Sequence, residues 1–152
     1  MDHVTFKAGT RGSRLARVQT QDALDRLSTL FPSLAFEVVP VTTPGDRDLT
    51  TDLRVSPGDF FTRDLDDALR AGRIDLAVHS AKDLPDPVPP DLDWFWLPWR
   101  EDPRDAWILP RGKSWADLPE APVVGVSSER REAHCRTRLP SAVMKPIRGT
   151  IP

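Results

Sequence analysis

Residues 4–8 (VTFKA) alternate apolar and polar side chains and predict a short strand, followed by a turn at Gly9-Thr10-Arg11-Gly12-Ser13. From there to about Phe31 the pattern changes to a helical one. Leu15, Val18, Leu24, Leu27 and Phe31 are expected broadly on one face, with Arg14, Arg17, Gln21 and Asp25 on the others. Pro32 stops this helix. Residues 34–42 (LAFEVVPVT) are rich in β-branched and aromatic residues and predict a second strand, in which Pro40 argues for an edge or a bulge. The opening is therefore β-α-β.

Residues 43–58 read as a loop, with turn signals at Pro44-Gly45-Asp46 and Pro57-Gly58. Phe61, Leu65, Ala68 and Leu69 then mark a second helical face, which Gly72 is placed to end. The nearly continuous apolar run 74–78 (IDLAV) predicts a strand buried on both sides. After a proline-rich loop at 85–90, residues 92–97 (LDWFWL) predict a strand, and the stretch from Pro98 to Pro103 a hinge. Beyond it come strands near 105–109, 122–126 and 143–147 and a helix over about 128–138. Strands alternating with helices predict an α/β fold with a largely parallel sheet, and the proline joint predicts two lobes. The expected division is 1–98 for the first lobe, 99–104 for the hinge and 105–152 for part of a second.

Composition narrows the class. The 152 residues, 39% hydrophobic, suffice for one core, or one domain and part of another. Twenty-one Lys and Arg against 23 Asp and Glu give a net charge of −2, so no long-range field would draw in nucleic acid or an anionic membrane, and any anion site must be local. The single cysteine, Cys135, cannot form an internal disulfide and has no metal-ligand spacing around it. No stretch has the apolar length of a signal peptide or a membrane span, so a soluble protein of a reducing cytoplasm is expected.

Three constellations carry candidate chemistry. His79-Ser80-Ala81-Lys82-Asp83-Leu84-Pro85 follows the strand at 74–78, and in open α/β sheets the carboxyl ends of strands face the ligand crevice. A carboxylate and an ammonium there could reach a substrate; a solvated loop with incidental charges is the plain alternative. Gly125-Val126-Ser127-Ser128-Glu129-Arg130-Arg131 joins a strand to a helix and combines free N–H groups, hydroxyls and two guanidinium groups into a local anion site. A serine N-cap followed by surface arginines is its alternative. Thr10-Arg11-Gly12-Ser13 repeats the arrangement, and Arg148 offers a further basic contact. The charged run 100–105 reads as a clamp between lobes, Cys135 as a structural thiol, and Trp94, Trp96 and Trp99 as packing at a sheet edge.

Taken in order, the stretches GTRGSRLA, VVPVTTPGD, FFTRDLDDALRAGRIDLAVHSAKDLP, REDPRDA, VGVSSERR and IRGT resemble the porphobilinogen deaminase (hydroxymethylbilane synthase) family. The resemblance covers all 152 residues and corresponds to roughly the first half of a usual member. It implies a two-lobed fold like the type II periplasmic binding proteins, with mixed, largely parallel sheets. It also implies a third domain, absent here, that carries a dipyrromethane cofactor on a cysteine. Cys135 does not match that cysteine, so this stretch alone is expected to be incomplete and inactive.

The same resemblance makes Asp83 the catalytic carboxylate, bonding pyrrole N–H groups and stabilising the cation formed when porphobilinogen loses ammonia. Lys82, Arg11, Ser13, Ser128, Arg130 and Arg131 match positions that hold the dipyrromethane, and Arg11, Ser127, Arg131 and Arg148 positions that hold the substrate's acid arms; no metal is implied. The complete protein is expected to be a cytoplasmic monomer acting on a small molecule, without nucleic acid or membrane. There are departures. Residues 56–61 read Ser-Pro-Gly-Asp-Phe-Phe where a Gly-Gly-Lys-Gly-Leu-Phe type loop is usual, Pro44 replaces a basic residue, Val126 a threonine, and Thr150 an asparagine. None touches Asp83 or the arginine pair. The competing readings are a non-catalytic two-lobed binding protein for a small anion and, more weakly, a protein-interaction role for the tryptophans.

Overall fold

The computed structural model describes residues 4–48 and 58–147. They form a mixed α/β structure with parallel sheets, and cluster into two compact units, residues 4–48 with 58–94 and residues 95–147.

In the first unit, strand β1 (Val4–Arg11) lies between its partners in a three-stranded parallel sheet of order β2-β1-β3. It is longer than the pattern predicts. All eight of its residues pair with β2 (Leu34–Val41), from Val4 opposite Leu34 to Arg11 opposite Val41, so Gly9, Thr10 and Arg11 belong to the strand and the turn shrinks to Gly12 and Ser13. The ladder overrides the turn signal, and it puts Arg11 at the carboxyl end of the sheet. Pro40, which has no N–H to donate, is tolerated because β2 is an edge strand among the described residues.

Helix α1 (Arg14–Leu30) begins at Ser13, whose hydroxyl accepts from the Ala16 N–H at 3.3 Å, and ends at Phe31 just before Pro32. Its buried face is Thr20, Ala23 and Leu24, not the face proposed from Leu15, Val18 and Phe31, which are all exposed. At about 100° per residue, Leu15 and Val18 lie roughly 140–160° round the helix from Thr20, on the far side from the sheet, and Phe31 lies beyond the last turn. A buried hydroxyl pair replaces them as the anchor. Thr20 Oγ1 donates to Thr10 Oγ1 at 2.7 Å, with both residues fully buried.

The region expected to be loop after β2 contains a short helix, α2 (Pro44–Arg47), while residues 49–57 lie outside the described residues. Helix α3 (Arg63–Arg70) buries Leu65 and Ala68 against Ile74, with Val39, Val41, Leu69 and Ala77 packed around them. Burial of a leucine of this kind contributes about 1.5–3 kcal/mol. Gly9 is required there: a Cβ would sit 2.3 Å from Ile74 Cδ1 and 2.9 Å from Leu65 Cδ2. Gly72, at φ +62°, turns the chain out of the helix.

Strand β3 (Leu76–Ala77) pairs with Ala8 and Gly9 and is shorter than the predicted 74–78. Ile74 is buried, but Leu76, Ala77 and Val78 are only half-buried. Among the described residues β3 is an edge strand, and with Leu76 to Val78 only half-buried the expectation of burial on both faces is not met.

In the second unit, β4 (Val123–Gly125) pairs in parallel with β5 (Val143–Lys145), and α4 (Glu129–Arg138) forms the crossover between them. Among the described residues of this unit, Pro122, Val126, Cys135 and Ala142 are buried. The strands predicted at 92–97 and 105–109 do not form: no ladder partner for them is present among the described residues. Trp94 and Trp96 are therefore exposed rather than packed at a sheet edge, with Trp99 half-buried. Trp107 and Trp115 meet edge to face, their centroids 5.1 Å apart. Among the described residues no helix is long and apolar enough to cross a membrane.

Candidate active site

Because β1 and β3 are parallel, their carboxyl ends deliver Arg11 and the loop after Ala77 to the same end of the sheet. Val78 N–H still bonds Gly9 C=O at 3.0 Å, and Ser80 Oγ donates to Gln19 Oε1 of α1 at 2.9 Å, so the loop is fixed from two directions. It then folds into a 3₁₀ turn, Ala81–Asp83, that turns Asp83 toward Arg11.

Arg11 is the hub of this cluster. Its Nε and Nη2 both donate to Asp46 Oδ1, at 3.1 and 2.6 Å, while Nη1 reaches Asp83 Oδ2 only at 3.5 Å. The guanidinium lies over the Phe61 ring, 4.1 Å from its centroid, an arrangement worth about 0.5–2 kcal/mol. Asp46 is saturated on its other side, where Oδ2 accepts from Thr43 N–H at 3.1 Å and Thr43 Oγ1 at 2.8 Å. Gly45 lets the Phe61 ring approach, since a Cβ there would lie 2.2 Å from Phe61 Cε1.

The electrostatics separate the two carboxylates. Burial pushes Asp46 upward, but the hydrogen bonds from Arg11 and Thr43 outweigh it and hold its pKa below the ordinary value. In Asp83 burial dominates: Lys82 and Arg11 pull its pKa down, Asp46 repels, and the net is a pKa raised above the ordinary value. Burial, with the adjacent Arg11 charge, lowers His79 to about 4. His79 is thus neutral near pH 7. The result is one partly desolvated carboxylate, loosely paired and able both to accept an N–H and to exchange a proton.

Of the other residues picked out from sequence in this unit, Lys82 is exposed on the turn beside Asp83, and the Ser13 hydroxyl is committed to capping α1. Asp59, the acid in the altered loop, is engaged by the helix that follows it: its two oxygens accept from Arg63 Nε and Nη2 at 2.7 and 2.9 Å. Ser56 and Pro57 of the altered loop lie outside the described residues.

The second unit gathers its own basic group. Ser128 caps α4, its hydroxyl facing the Arg131 N–H at 3.5 Å, and Arg130 and Arg131 extend from the first turn. They share one carboxylate. Arg131 Nε donates to Asp105 Oδ1 at 2.9 Å and Arg130 Nη2 to Asp105 Oδ2 at 3.2 Å, and the bond from Arg131 is the main cause of a lowered Asp105 pKa. The Ser127 hydroxyl is tied to the backbone of Ile147, donating to its carbonyl and accepting from its N–H. In the charged run at 100–105, Arg104 pairs with Asp102, two residues away, and Asp105 with Arg130 and Arg131 of the same unit. Cys135 is buried in α4. Arg148 lies outside the described residues.

Sequence reasoning passed over Asp46, Phe61 as a site residue, and Asp105. The spacing Thr43-x-x-Asp46, a hydroxyl followed three residues later by a carboxyl acceptor, is a capping signature that could have marked Asp46 as structured. Nothing local distinguishes Asp105.

A family model described as porphobilinogen deaminase, dipyromethane cofactor binding domain, matches residues 6–152. The chain is 41% identical over 152 residues to the porphobilinogen deaminase of Syntrophotalea carbinolica, covering 99% of this chain and 48% of that protein. It is 43% identical over 148 residues to the enzyme of that name from a Roseiflexus species, covering 97% and 49%, and 42% identical over 152 residues to that of Chromobacterium violaceum, covering 99% and 48%. The chain spans about half the length of the curated relatives it matches. By a family match over nearly its whole length, the chain belongs to the porphobilinogen deaminase family.

Proposed function

We propose that this chain is the amino-terminal part of a hydroxymethylbilane synthase, a transferase that condenses four porphobilinogen molecules stepwise, with loss of ammonia, in tetrapyrrole (haem) biosynthesis. The observation that carries the reading is the Asp83 carboxylate, half-desolvated beside Arg11 at the carboxyl end of a parallel sheet, in a chain of this family.

The donor set fits a dipyrromethane. Such a group brings pyrrole N–H donors, which call for an anion, and acetate and propionate arms, which call for cations. In the first unit Asp83 supplies the anion and Arg11 and Lys82 supply cations; in the second, Arg130 and Arg131 supply cations. Guanidinium forks suit planar carboxylates better than ammonium does. When bound, the dipyrromethane supplies the pyrrole onto which the new units are condensed.

Asp83 is the catalytic residue in this reading. It accepts the pyrrole N–H of the incoming porphobilinogen and, as ammonia departs, opposes the positive charge that spreads over the ring. A fixed anion in a site of low dielectric is worth more to a developing cation than the same charge in water. Its raised proton affinity equips it to hold the proton released when the new carbon–carbon bond restores an aromatic ring. Neutral His79 adds no competing charge.

Ser13 and Ser128 serve through the helix N-termini that they cap, offering backbone N–H groups and a favourable dipole to acid arms rather than free hydroxyls. Ser127 holds the chain after β5, from which Arg148 follows as a substrate contact. The wider expectations belong to the same proposal: a two-lobed fold of the periplasmic-binding-protein type with lobes at 1–98 and 105–152 and a hinge at 99–104, a cofactor cysteine outside this chain, and a monomeric cytoplasmic enzyme.

The test is porphobilinogen consumption by the complete polypeptide. Asp83→Asn is expected to lose at least about a thousandfold in kcat, the scale of removing a preorganised electrostatic group. Condensation at the parental rate would refute the assignment.

A further inference from the structure

We propose that Asp46 is a positioning residue that keeps Asp83 available for the reaction, by taking the two strongest hydrogen bonds of Arg11 and leaving Asp83 only its loosest. The inference rests on the reading of Asp83 as the catalytic carboxylate.

An arginine beside two carboxylates ordinarily settles its fork on one of them, as two parallel N–H···O bonds. Here the choice goes to Asp46. Nε and Nη2 converge on its Oδ1 at 3.1 and 2.6 Å, against a single 3.5 Å contact to Asp83, which is at the limit of a hydrogen bond. Three contacts hold this choice in place. Thr43, fully buried, binds Asp46 Oδ2 through both its N–H and its hydroxyl; Gly45 N–H bonds Phe60 C=O at 2.9 Å; and Phe61 closes one face of the guanidinium. Asp46 cannot swing toward solvent without breaking the two bonds from Thr43, and Arg11 cannot rotate fully onto Asp83 while Asp46 holds two of its nitrogens.

Neutralising Asp46 would change both halves of the arrangement. Arg11 would keep its charge in a largely buried place and lose its main counter-ion, and the adjacent carboxylate is Asp83. A closed Arg11–Asp83 fork would occupy the lone pairs that a pyrrole N–H needs. The charged and titratable groups around Asp83 act in opposite directions: Arg11 from β1 and Lys82 from its own turn favour the anion, Asp46 from α2 opposes it, and His79, next to Arg11, is neutral. Tightening the first and removing the third both lower the proton affinity of Asp83.

The experiment uses the full-length polypeptide carrying its dipyrromethane. Asp46→Asn, Asp46→Glu and Asp83→Asn are compared by kcat and KM against pH, and by ¹³C-carboxyl NMR titration of aspartate-labelled protein, in which the Asp83 resonance is the one lost in Asp83→Asn. Asp46→Asn is expected to lower kcat about tenfold or more, by a larger factor than it raises KM, and to move the Asp83 midpoint and the acid limb of the profile downward. Asp46→Glu, which restores the anion, should recover most of both. If Asp46→Asn does not fold, Thr43→Val, which deletes one bond holding Asp46, should shift the Asp83 midpoint in the same direction by less. An unmoved Asp83 midpoint, or an Asp46→Glu protein as impaired as Asp46→Asn, overturns the proposal. Parental activity in Asp83→Asn would instead overturn the function assigned to that carboxylate, while the titration still judges the Asp46 claim.

Discussion

The Asp105 carboxylate receives Arg131 Nε on one oxygen at 2.9 Å and Arg130 Nη2 on the other at 3.2 Å, so a single side chain of this unit engages both arginines. All three side chains are substantially exposed, so the pairs are screened and contribute little to folding. Their effect lies in competition. An incoming carboxylate must displace Asp105 or share the arginines with it.

Asp105→Asn is therefore expected to strengthen anion binding at this end of α4 without altering the melting temperature. With inorganic sulfate as probe, its inhibition constant for porphobilinogen turnover should fall severalfold at low ionic strength, and the difference should shrink toward 1 M salt, where the screening length is about 3 Å. Weaker sulfate inhibition in the variant would mean that Asp105 holds the arginines in their binding orientation instead.

Much of this arrangement was legible in the residues. The β-α-β opening, the helix ending at Phe31 and the parallel β4-α4-β5 unit follow from periodicity and capping, because each depends on neighbours within one or two turns. The errors share another cause. Arg11 lies in a strand rather than a turn because eight rungs of pairing to β2 outweigh the preference of Gly9 for a bend, and pairing partners are not written locally. The alternating tryptophans at 94 and 96 promised a strand for the same reason and found no ladder. Asp83 and the arginine pair are singled out in the sequence by their place after strands and by the family resemblance. Asp46 is not, because its bonds exist only once residues 11, 43, 46 and 61, far apart in sequence, are brought together.

His79 gives the folded protein a pH dependence of defined sign. Burial, with Arg11 beside it, lowers its pKa to about 4, from an unfolded value of 6.5. Between those values the unfolded chain binds a proton that the native state does not, so stability is full above pH 6.5 and falls as the pH drops toward 4. The limiting slope is about 1.4 kcal/mol per pH unit for one proton. Urea unfolding at pH 7 and pH 5 measures it, and His79→Gln should flatten the dependence across this window. Asp83, whose pKa is raised by burial, acts with the opposite sign, because its native state holds a proton that the unfolded chain releases as the pH rises through its ordinary range. The comparison must therefore be made between proteins that differ only at residue 79. An unchanged slope in His79→Gln would show that the histidine is solvated in the native protein.

The buried hydroxyl pair beneath α1 tests how polar groups contribute to this core. Thr20 Oγ1 donates to Thr10 Oγ1 at 2.7 Å, and both side chains are fully buried, so each satisfies the other where water does not reach. Replacing one alone leaves a desolvated hydroxyl without that partner, at a cost of about 1–3 kcal/mol; replacing both with an apolar isostere removes the need for a partner altogether. Thr20→Val and Thr10→Val should each destabilise the protein by that amount, and the double variant by less than either alone. The difference is the coupling energy of the pair, read from urea midpoints at constant m-value. Additive losses would mean that the two hydroxyls are satisfied separately and that the 2.7 Å contact does not anchor α1 to the sheet. Because Arg11 follows Thr10 on the same strand, a loosened anchor should also lower kcat in the single variants and leave it near parental in the double.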